Sequence, residues 1–236
     1  SVGLVRSRTR HTTVKTRVIS GHQHVVRVDE EMTDDLSSEE EDALLKRIQE
    51  VIDFRKPAAV VLEDYNKGVL TTRTIKAVIA AAHKSGIPVS VDPKTKNFLA
   101  YEGVDLFKPN VKELREGLKV DVSGSDAESV RSAVRKLEQA LRNKATMVTM
   151  SEHGVYVHDA EHDRVIAAHH RKIADVSGAG DTVIALATLA MAQGLPLDHI
   201  AELANLGGGL VCEEVGVVPI DPQRLRSEAT RLNLLS

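Results

Sequence analysis

The segment Asp175-Val176-Ser177-Gly178-Ala179-Gly180-Asp181 leads directly into the largely apolar residues 182–187. Two glycines followed by good helix formers predict a helix that begins in this segment. Glycine lets the backbone approach a ligand closely, and the free N–H groups and the dipole of a first helical turn attract negative charge. The segment therefore predicts a helix start that binds phosphate.

Asp181 stands at the start of this predicted helix, where its carboxylate would face a bound phosphate. A carboxylate at that place can accept the proton of an attacking hydroxyl, which predicts that Asp181 is the general base of a phosphoryl transfer. Gly178, Ala179 and Gly180 would supply the backbone N–H groups of an anion hole. The segment is neither a Walker A loop nor a dinucleotide fingerprint, and an ordinary helix cap is the alternative for Asp181.

Short apolar strands alternate with amphipathic helices through the rest of the chain. Ser37 and Ser38, followed by Glu40 and Glu41, predict a capping box that opens the first helix. Such alternation is typical of an α/β fold with three α/β/α layers and a mostly parallel central sheet. The predicted strands span residues 58–62, 87–91, 104–107 and 145–150, an antiparallel pair spans 154–158 and 165–169, and the later helices span 71–85, 110–117, 126–143, 178–193, 196–214 and 222–234.

Residues 9–30 alternate like strands on either side of Gly21-His22, which predicts a β-hairpin with its turn at that dipeptide. The plausible domain boundary lies near residue 31. We therefore expect residues 1–31 to form a small β lid and residues 32–236 to form the nucleotide-binding and catalytic domain. Two strands alone are barely stable, so the hairpin is expected to serve as a lid or a subunit contact.

The composition excludes several other classes of function. The 236-residue chain has a formal net charge of −3 and only 3% aromatic residues, so neither a basic field nor a stacking platform for nucleic acid is expected. No apolar run approaches the roughly 20 residues of a membrane span. A single cysteine, Cys212, excludes an internal disulfide framework. We predict a cytoplasmic protein that binds small molecules and has no nucleic-acid or membrane partner.

Asp64 and Lys67 follow directly after the predicted strand at residues 58–62. Open α/β sheets bind their ligands outside the carboxyl ends of the strands. Lys67 is therefore a candidate for binding a phosphate oxygen, and Asp64 for binding a sugar hydroxyl. The alternative is a solvated polar loop without a ligand.

Three segments, in the same order and spacing, resemble the motifs of the ribokinase-like (PfkB) carbohydrate kinases. Residues 175–182 resemble the C-terminal signature of that family, and residues 149–154 resemble its nucleotide-binding turn at a strand end. The third segment resembles its Asn-x-x-Glu motif and reads Lys108-Pro109-Asn110-Val111-Lys112-Glu113. The resemblance extends from about residue 9 to the end, and it implies a ribokinase-like fold and phosphorylation of a sugar by ATP.

One branch of this family resembles the chain most. Residues 12–19 and 26–29 resemble the lid of the D-glycero-β-D-manno-heptose-7-phosphate kinases, the kinase half of ADP-heptose synthase, and residues 63–71 and 91–94 are also similar to that branch. The resemblance implies transfer of the γ-phosphate of ATP to the anomeric hydroxyl of heptose 7-phosphate, on the route to lipopolysaccharide. A kinase for another sugar and a catalytically inactive nucleotide-binding fragment remain alternatives.

The resemblance also implies contacts with ATP and Mg²⁺. Glu113 is expected to hold a magnesium-bound water, because Mg²⁺ keeps much of its hydration. The preference of any first helical turn for acidic residues is the alternative for Glu113, and a helix surface is the alternative for Asn205. A requirement for a monovalent cation stays open. The implied nucleotide contacts are Asn110, Glu113, Thr149, Glu152, Gly154 and Asn205.

Lys15, Arg17 and Arg27 lie on the predicted hairpin. A substrate that already carries a phosphate needs positive charge, and arginine can bind it through two hydrogen bonds. The alternative is an exposed strand face whose charges block edge pairing. The resemblance further implies a homodimer in which the lid pairs with its counterpart.

The chain departs from the family pattern near its N-terminal end. The family normally begins with a strand that carries a substrate-binding aspartate and continues with a Gly-Gly-Ala-Asn-type segment, and neither is found in this sequence. We therefore expect the first part of the sheet and much of the sugar pocket to be absent from it. Val176 and Val183 replace the Thr and Phe that are usual in the C-terminal signature.

Overall fold

The chain begins with an antiparallel hairpin of two strands, β1 (Val14–Ser20) and β2 (Gln23–Glu30). These strands confirm the predicted hairpin. The predicted turn at residues 21–22 lies outside the residues that this computed structural model describes, which are 2–20 and 23–234. The boundary near residue 31 stays a prediction.

The two faces of the hairpin differ in character. The register pairs Arg17 with Arg27 and Lys15 with Asp29, so the basic residues share one face. The opposite face is apolar and exposed to solvent. It carries Val14, Val18, Val26 and Val28, each between 46% and 57% exposed.

A six-stranded sheet forms the centre of the described residues, and its strands lie in the order in which they follow along the chain. The first four strands run parallel, and the last two are antiparallel to their neighbours. The mostly parallel sheet is therefore confirmed. Its strands are β3 (Val60–Glu63), β4 (Val89–Asp92), β5 (Leu106–Phe107), β6 (Ala145–Thr149), β7 (Val155–His158) and β8 (Asp163–Ile166).

Seven α-helices occur among the residues that the structure describes. In chain order they are α1 (Ser38–Arg55), α2 (Thr72–Lys84), α3 (Val111–Leu118), α4 (Ala127–Leu141), α5 (Ala179–Ala192), α6 (Leu197–Val211) and α7 (Pro222–Arg231). None of these helices combines the length and apolar character that crossing a bilayer requires.

The helices cover both faces of the sheet. Because side chains alternate along a strand, Phe107 packs into one core while its neighbour Leu106 packs into another. The first core joins the sheet to α1–α4 and contains Ile75 and Leu137. The second core joins it to α5 and α6 and contains Met147. This arrangement confirms the predicted three layers.

Local signals determine where most helices begin. Ser37 and Glu40 form the predicted capping box at α1, and Thr71 with Thr74 forms another at α2. The start of α5 is different. Its N-cap is Gly178, with φ of +81°, and no side chain among the described residues caps it.

The antiparallel pair is shorter than predicted. We expected the second strand to span residues 165–169, but β8 begins at Asp163 and ends at Ile166. The physical reason lies in the partner strand. Val155 is the residue of β7 that pairs with Ile166, and the preceding Gly154 leaves the extended conformation with φ of +90°. Residues 167–169 therefore have no strand beside them.

Candidate active site

The register of the parallel strands brings polar side chains together at one edge of the sheet. Glu63 and Asp92 are the final residues of β3 and β4 and pair with each other across the two strands. Lys108 follows directly after Phe107, which pairs with Val91 of β4. Carboxyl ends of parallel strands are the edge at which open α/β sheets bind ligands.

The start of α5 lies over this edge. A Cβ atom placed on Gly180 would lie 3.9 Å from both Asp92 Oδ2 and Lys108 Nζ. The loop before the helix is held by Asp175, whose Oδ1 accepts from the Ser177 N–H at 2.9 Å and whose Oδ2 accepts from the Gly216 N–H at 3.0 Å. The first N–H groups of a helix have no partner within the helix. Gly178 and Gly180 line the cleft without side chains that would cover their N–H groups, whereas the Ala179 N–H donates to the Val176 carbonyl at 3.3 Å.

A cleft of about 770 Å³ lies between the hairpin, the sheet edge and α5. Six basic and three acidic residues line it, so its balance of formal charge is positive. It brings together ten of the residues that the sequence predicted. They are Lys15, Arg17, Arg27, Lys67, Asn110, Glu113, Thr149, Gly178, Gly180 and Asp181.

Asp181 is one of three carboxyl groups that lie close together. Oxygen atoms of Glu63, Asp92 and Asp181 come within 4.8 Å of one another. Partial burial and the negative charge of Asp181 raise the pKa of Glu63. The Tyr65 hydroxyl donates a hydrogen bond of 2.8 Å to Asp181 Oδ1. A proton retained on Glu63 reduces the repulsion between these carboxyl groups. Oxygen-only clusters of this kind suit a hard cation such as Mg²⁺, although exposed acidic groups are also common without one.

Lys108 provides the positive charge beneath this cluster. Its side chain is only 3% exposed, and Nζ lies 3.1 Å from Asp92 Oδ2. Burial raises the pKa of Asp92, and the charges of Lys108 and Lys94 oppose that effect. A buried ammonium group needs such a partner because removing an unpaired charge from water is costly.

Glu113 lines the cleft and makes two kinds of contact. In the capping box of α3, its Oε2 accepts from the Asn110 N–H at 2.9 Å, and Asn110 Oδ1 accepts from the Glu113 N–H at 2.8 Å. Its Oε1 forms an ion pair with Lys94 Nζ. Burial tends to lower the pKa of Lys94, but the hydrogen bond to Glu113 and the charge of Asp92 outweigh it and raise that pKa.

The basic face of the hairpin points into the cleft. Lys15 Nζ lies 5.7 Å from the centroid of the Tyr65 ring. Arg27 binds Asp29 through two hydrogen bonds of 2.8 and 2.6 Å. Lys67 Nζ, in the domain of residues 32–236, forms an ion pair of 2.5 Å with Glu31, the residue that follows β2. The hairpin is therefore tied to the body at its base.

Five predicted site residues do not line the cleft. Asp64 is buried, and its two oxygens accept from the Tyr101 hydroxyl and the Asn66 N–H, both at 2.7 Å. Asn205 donates to the Ala167 carbonyl at 2.9 Å. Glu152 is exposed beside His153. Their roles stay predictions, as do those of the remaining two, Ala179 and Gly154.

Sequence reasoning gave no role to several residues that the cleft contains. Tyr65, Asp92, Lys94 and Lys108 all line it, and Glu63 lies beside Asp181. The sequence signal that could have identified these residues is their position, because each one ends a parallel strand or follows it within two residues. Their mutual contacts depend on strand register, which no local pattern in the sequence specifies.

The chain is similar to known proteins both in sequence and in fold. Residues 1–224 match the family profile described as pfkB family carbohydrate kinase. A relative from Methylobacillus flagellatus, named Bifunctional protein HldE, is 42% identical over 219 residues, which cover 93% of this chain and 44% of the relative. The chain thus spans less than half the length of the curated relatives it matches.

Two solved structures have a similar fold. Phosphofructokinase-2 from Escherichia coli in complex with potassium superposes with a TM-score of 0.75 at 20% identity, covering 88% of this chain and 67% of that one. Ribokinase from Arabidopsis thaliana complexed with ribose and ATP gives a TM-score of 0.66 at 18% identity, covering 87% and 64%. Identities this low show the fold alone, which is the ribokinase-like α/β/α fold.

Proposed function

The chain belongs to the pfkB family of carbohydrate kinases, and from that premise we propose that it transfers the γ-phosphate of ATP to a sugar phosphate, with heptose 7-phosphate as the specific substrate and its anomeric hydroxyl as the acceptor. One observation carries the proposal. Asp181 stands at the uncapped start of α5, inside a cleft that six basic residues line. An acid–base group and a polyanion site in one cleft are what phosphoryl transfer requires.

The proposed chemistry uses two parts of the α5 start. The Asp181 carboxylate accepts the proton of the attacking sugar hydroxyl. The N–H groups at Gly178, Ala179 and Gly180, together with the helix dipole, are proposed to bind the negative charge of the transferred phosphoryl group, for which the Ala179 N–H would exchange its 3.3 Å bond to the Val176 carbonyl. Lys108 adds a buried positive charge next to Gly180. Most of the rate acceleration then comes from positioning and electrostatic stabilisation.

The nucleotide is proposed to lie on the Asn110 and Glu113 side of the cleft, next to Thr149. When Mg²⁺ is bound with ATP it neutralises charge on the phosphates. The carboxylate of Glu113 suits a water of the hydrated ion, because Mg²⁺ prefers oxygen ligands. Lys94 now pairs with Glu113 and would be free to contact a phosphate once that carboxylate has another partner.

The phosphate already present on the sugar is proposed to lie against the basic lid face. Lys15, Arg17 and Arg27 line the cleft on that side. A neutral sugar such as ribose gives these residues nothing to bind, so the lid favours a phosphorylated substrate over a neutral one. The choice of heptose over another sugar phosphate rests on the resemblance of the lid and of residues 63–71 to the heptose kinases. The name HldE borne by the relatives is consistent with that choice.

A homodimer through the hairpin is part of the proposal. The basic face of the hairpin is turned to the cleft, while four valines on its outer face are about half exposed. An apolar strand face of this kind is unfavourable in water and is suited to packing against a second copy.

A coupled ADP-release assay tests the proposed function. ATP and Mg²⁺ are supplied with heptose 7-phosphate, fructose 6-phosphate or ribose, each with and without potassium, and ATP binding is measured separately by calorimetry. We expect turnover with heptose 7-phosphate and little with ribose. Turnover that is fastest with fructose 6-phosphate would reassign the substrate. ATP binding without turnover on any sugar would support an inactive nucleotide-binding fragment instead.

A further inference from the structure

Tyr65 contacts three parts of the cleft at once. Its hydroxyl donates to Asp181 Oδ1 at 2.8 Å. Its ring lies 5.7 Å from Lys15 Nζ, on the hairpin, and 6.0 Å from Lys94 Nζ, on the body. Tyr65 therefore contacts both a lid residue and the proposed general base, although it lies in neither the hairpin nor α5.

The hydroxyl contact fixes the orientation of the Asp181 carboxylate. A carboxylate on a helix start rotates about its side-chain torsions unless a partner holds it. Tyr65 engages Oδ1, and an oxygen of Glu63 lies within 4.8 Å of the same carboxylate, so the two side chains together limit its rotation. A tyrosine phenol keeps its proton at neutral pH, so Tyr65 acts as the donor in this contact.

The contact between the Tyr65 ring and Lys15 connects Asp181 with the lid. An ammonium group within about 6 Å of an aromatic centroid is attracted to the ring face, and the attraction grows when the pair is shielded from water. Lys15 is the residue of β1 that reaches the ring, and Lys94 contributes a second ammonium from the body. If the lid moved away and took Lys15 with it, the ring would lose one of these two partners.

We propose that Tyr65 is a positioning residue that aligns Asp181 with the acceptor hydroxyl only while Lys15 of the lid is seated on its ring. The base is then oriented when the lid covers the sugar and is less ordered when the lid is open. This inference rests on the proposed function, because it assigns Asp181 the role of general base.

Turnover of single variants tests the hydroxyl. Tyr65→Phe keeps the ring and removes only the donor, and we expect kcat to fall about 10- to 100-fold with an unchanged KM for ATP. The chain offers a matched control in Tyr156, whose hydroxyl donates to Asp163 Oδ1 at the same 2.8 Å but outside the cleft. Tyr156→Phe should leave kcat unchanged. An unchanged kcat in Tyr65→Phe would overturn the inference while the proposed function stands.

A double-mutant cycle tests the link to the lid. Lys15→Met is expected to lower kcat and to raise KM for the sugar phosphate. In a Tyr65→Leu background, where the ring is gone, Lys15→Met should still raise that KM but should lower kcat no further. Losses of kcat that add in the double variant would mean that Lys15 acts independently of Tyr65, and would overturn the coupling.

A spectroscopic measurement separates this inference from the proposed function. The chain has three tyrosines, so protein labelled with ¹³C at tyrosine Cζ gives three assignable signals. Asp181→Asn and Lys15→Met should each move the Tyr65 signal and leave the Tyr156 signal in place. A Tyr65 signal that ignores Lys15→Met would refute the lid contact whatever the kinetics show. If both variants move the Tyr65 signal but the wild-type protein phosphorylates no sugar, the proposed function is refuted, and with it the role of Tyr65 in catalysis.

Discussion

At the scale of residues, the proposed chemistry depends on one carboxylate, that of Asp181. Replacing Asp181 by Asn preserves the shape of the side chain but removes its ability to take up a proton. We expect kcat to fall about 10²- to 10⁴-fold, which is the usual contribution of a general base. ATP affinity by calorimetry should be retained. Asp163→Asn is the control, since Asp163 also accepts from a tyrosine but lies outside the cleft. Equal turnover in the two variants would remove Asp181 from the mechanism.

Glu63 predicts a dependence of stability on pH. Its pKa in the folded protein is raised above the ordinary value of 4.5, so the unfolded chain loses this proton first as pH increases. The contribution of Glu63 to stability is therefore full below about pH 4.5 and is lost as pH rises through the folded pKa. Gln cannot ionise, so the unfolding free energy of Glu63→Gln relative to wild type should grow from pH 4.5 upward.

Urea denaturation of both proteins between about pH 4 and pH 8 measures that difference. Two stability curves that stay parallel over the whole range would show that Glu63 has no raised pKa. Asp92 and Asp181 interact with the charge of Glu63, so the difference between the two proteins reports the titration of the three-carboxyl cluster as a whole.

The sequence predicts some residues of the site well and others not at all. Gly178, Gly180 and Asp181 are adjacent in one segment whose chemistry can be inferred locally. Glu63 and Lys108 meet the same site only because β3, β4 and β5 have a particular register. That register is determined by packing across the whole sheet, so these two residues lacked a role in the sequence-based prediction.

At the scale of elements, the start of α2 shows how a cap can also join two helices. The Thr71 side chain caps α2 and donates to Glu41 on α1, and both residues are buried. Thr71→Val removes the cap and leaves a buried carboxylate without that donor, so we expect a loss of about 2–3 kcal/mol. Ser37→Ala, which removes the more exposed cap of α1, should cost only about 1 kcal/mol. Chemical denaturation measures both, and equal losses would show that the Glu41 contact adds nothing.

The outer face of the lid predicts an effect on association. Val18 pairs with Val26 in the hairpin, and both are nearly half exposed. Val18→Asp places a charge in the proposed dimer interface, so sedimentation velocity should show a shift from dimer to monomer. Phe54→Asp changes an apolar residue that is 83% exposed and lies on α1 rather than on the hairpin, so it should leave the distribution of monomer and dimer unchanged. A wild-type protein that sediments as a monomer would contradict the use of the lid as an interface.

Element types were predictable where the local pattern was complete. Ser37 with Glu40 predicted the start of α1, and the start of α2 was predicted at Thr71, one residue before its observed position. The strand predicted at residues 165–169 was too long because its end depends on Gly154 in the partner strand. A boundary that is determined by a neighbouring strand cannot be seen in the residues of the strand itself.

At the scale of the whole molecule, the sheet couples two cores that lie on its opposite faces. Leu137 is fully buried on the side of α1–α4, and Met147 is fully buried on the side of α5 and α6. Replacing either by Ala should lower the unfolding free energy by about 2–5 kcal/mol. If the two cores unfold together, both substitutions move one transition, seen alike by circular dichroism and tyrosine fluorescence. Two separate transitions would show that the layers are independent.

The order of the strands is the part of the architecture that the sequence left undetermined. Alternating strands and helices predicted a mostly parallel sheet, and the resemblance supplied the ribokinase-like family. The pairing of each strand with the next one along the chain is a finding of the structure. It explains why the polar residues after β3, β4 and β5 collect at one edge.

The distance along the chain between Tyr65 and Asp181 has a consequence for synthesis in the cell. The two partners are 116 residues apart. Ribosomes add roughly 5–20 residues per second, so roughly 6–23 s pass between the appearance of Tyr65 and that of Asp181. During this interval the chain acquires Asn110, Glu113 and Thr149 of the proposed nucleotide side, but it still lacks the start of α5 and Asp181. If Asp181 is the base, a chain that ends before it cannot carry out the proposed phosphoryl transfer, which becomes possible only after the start of α5 has been made.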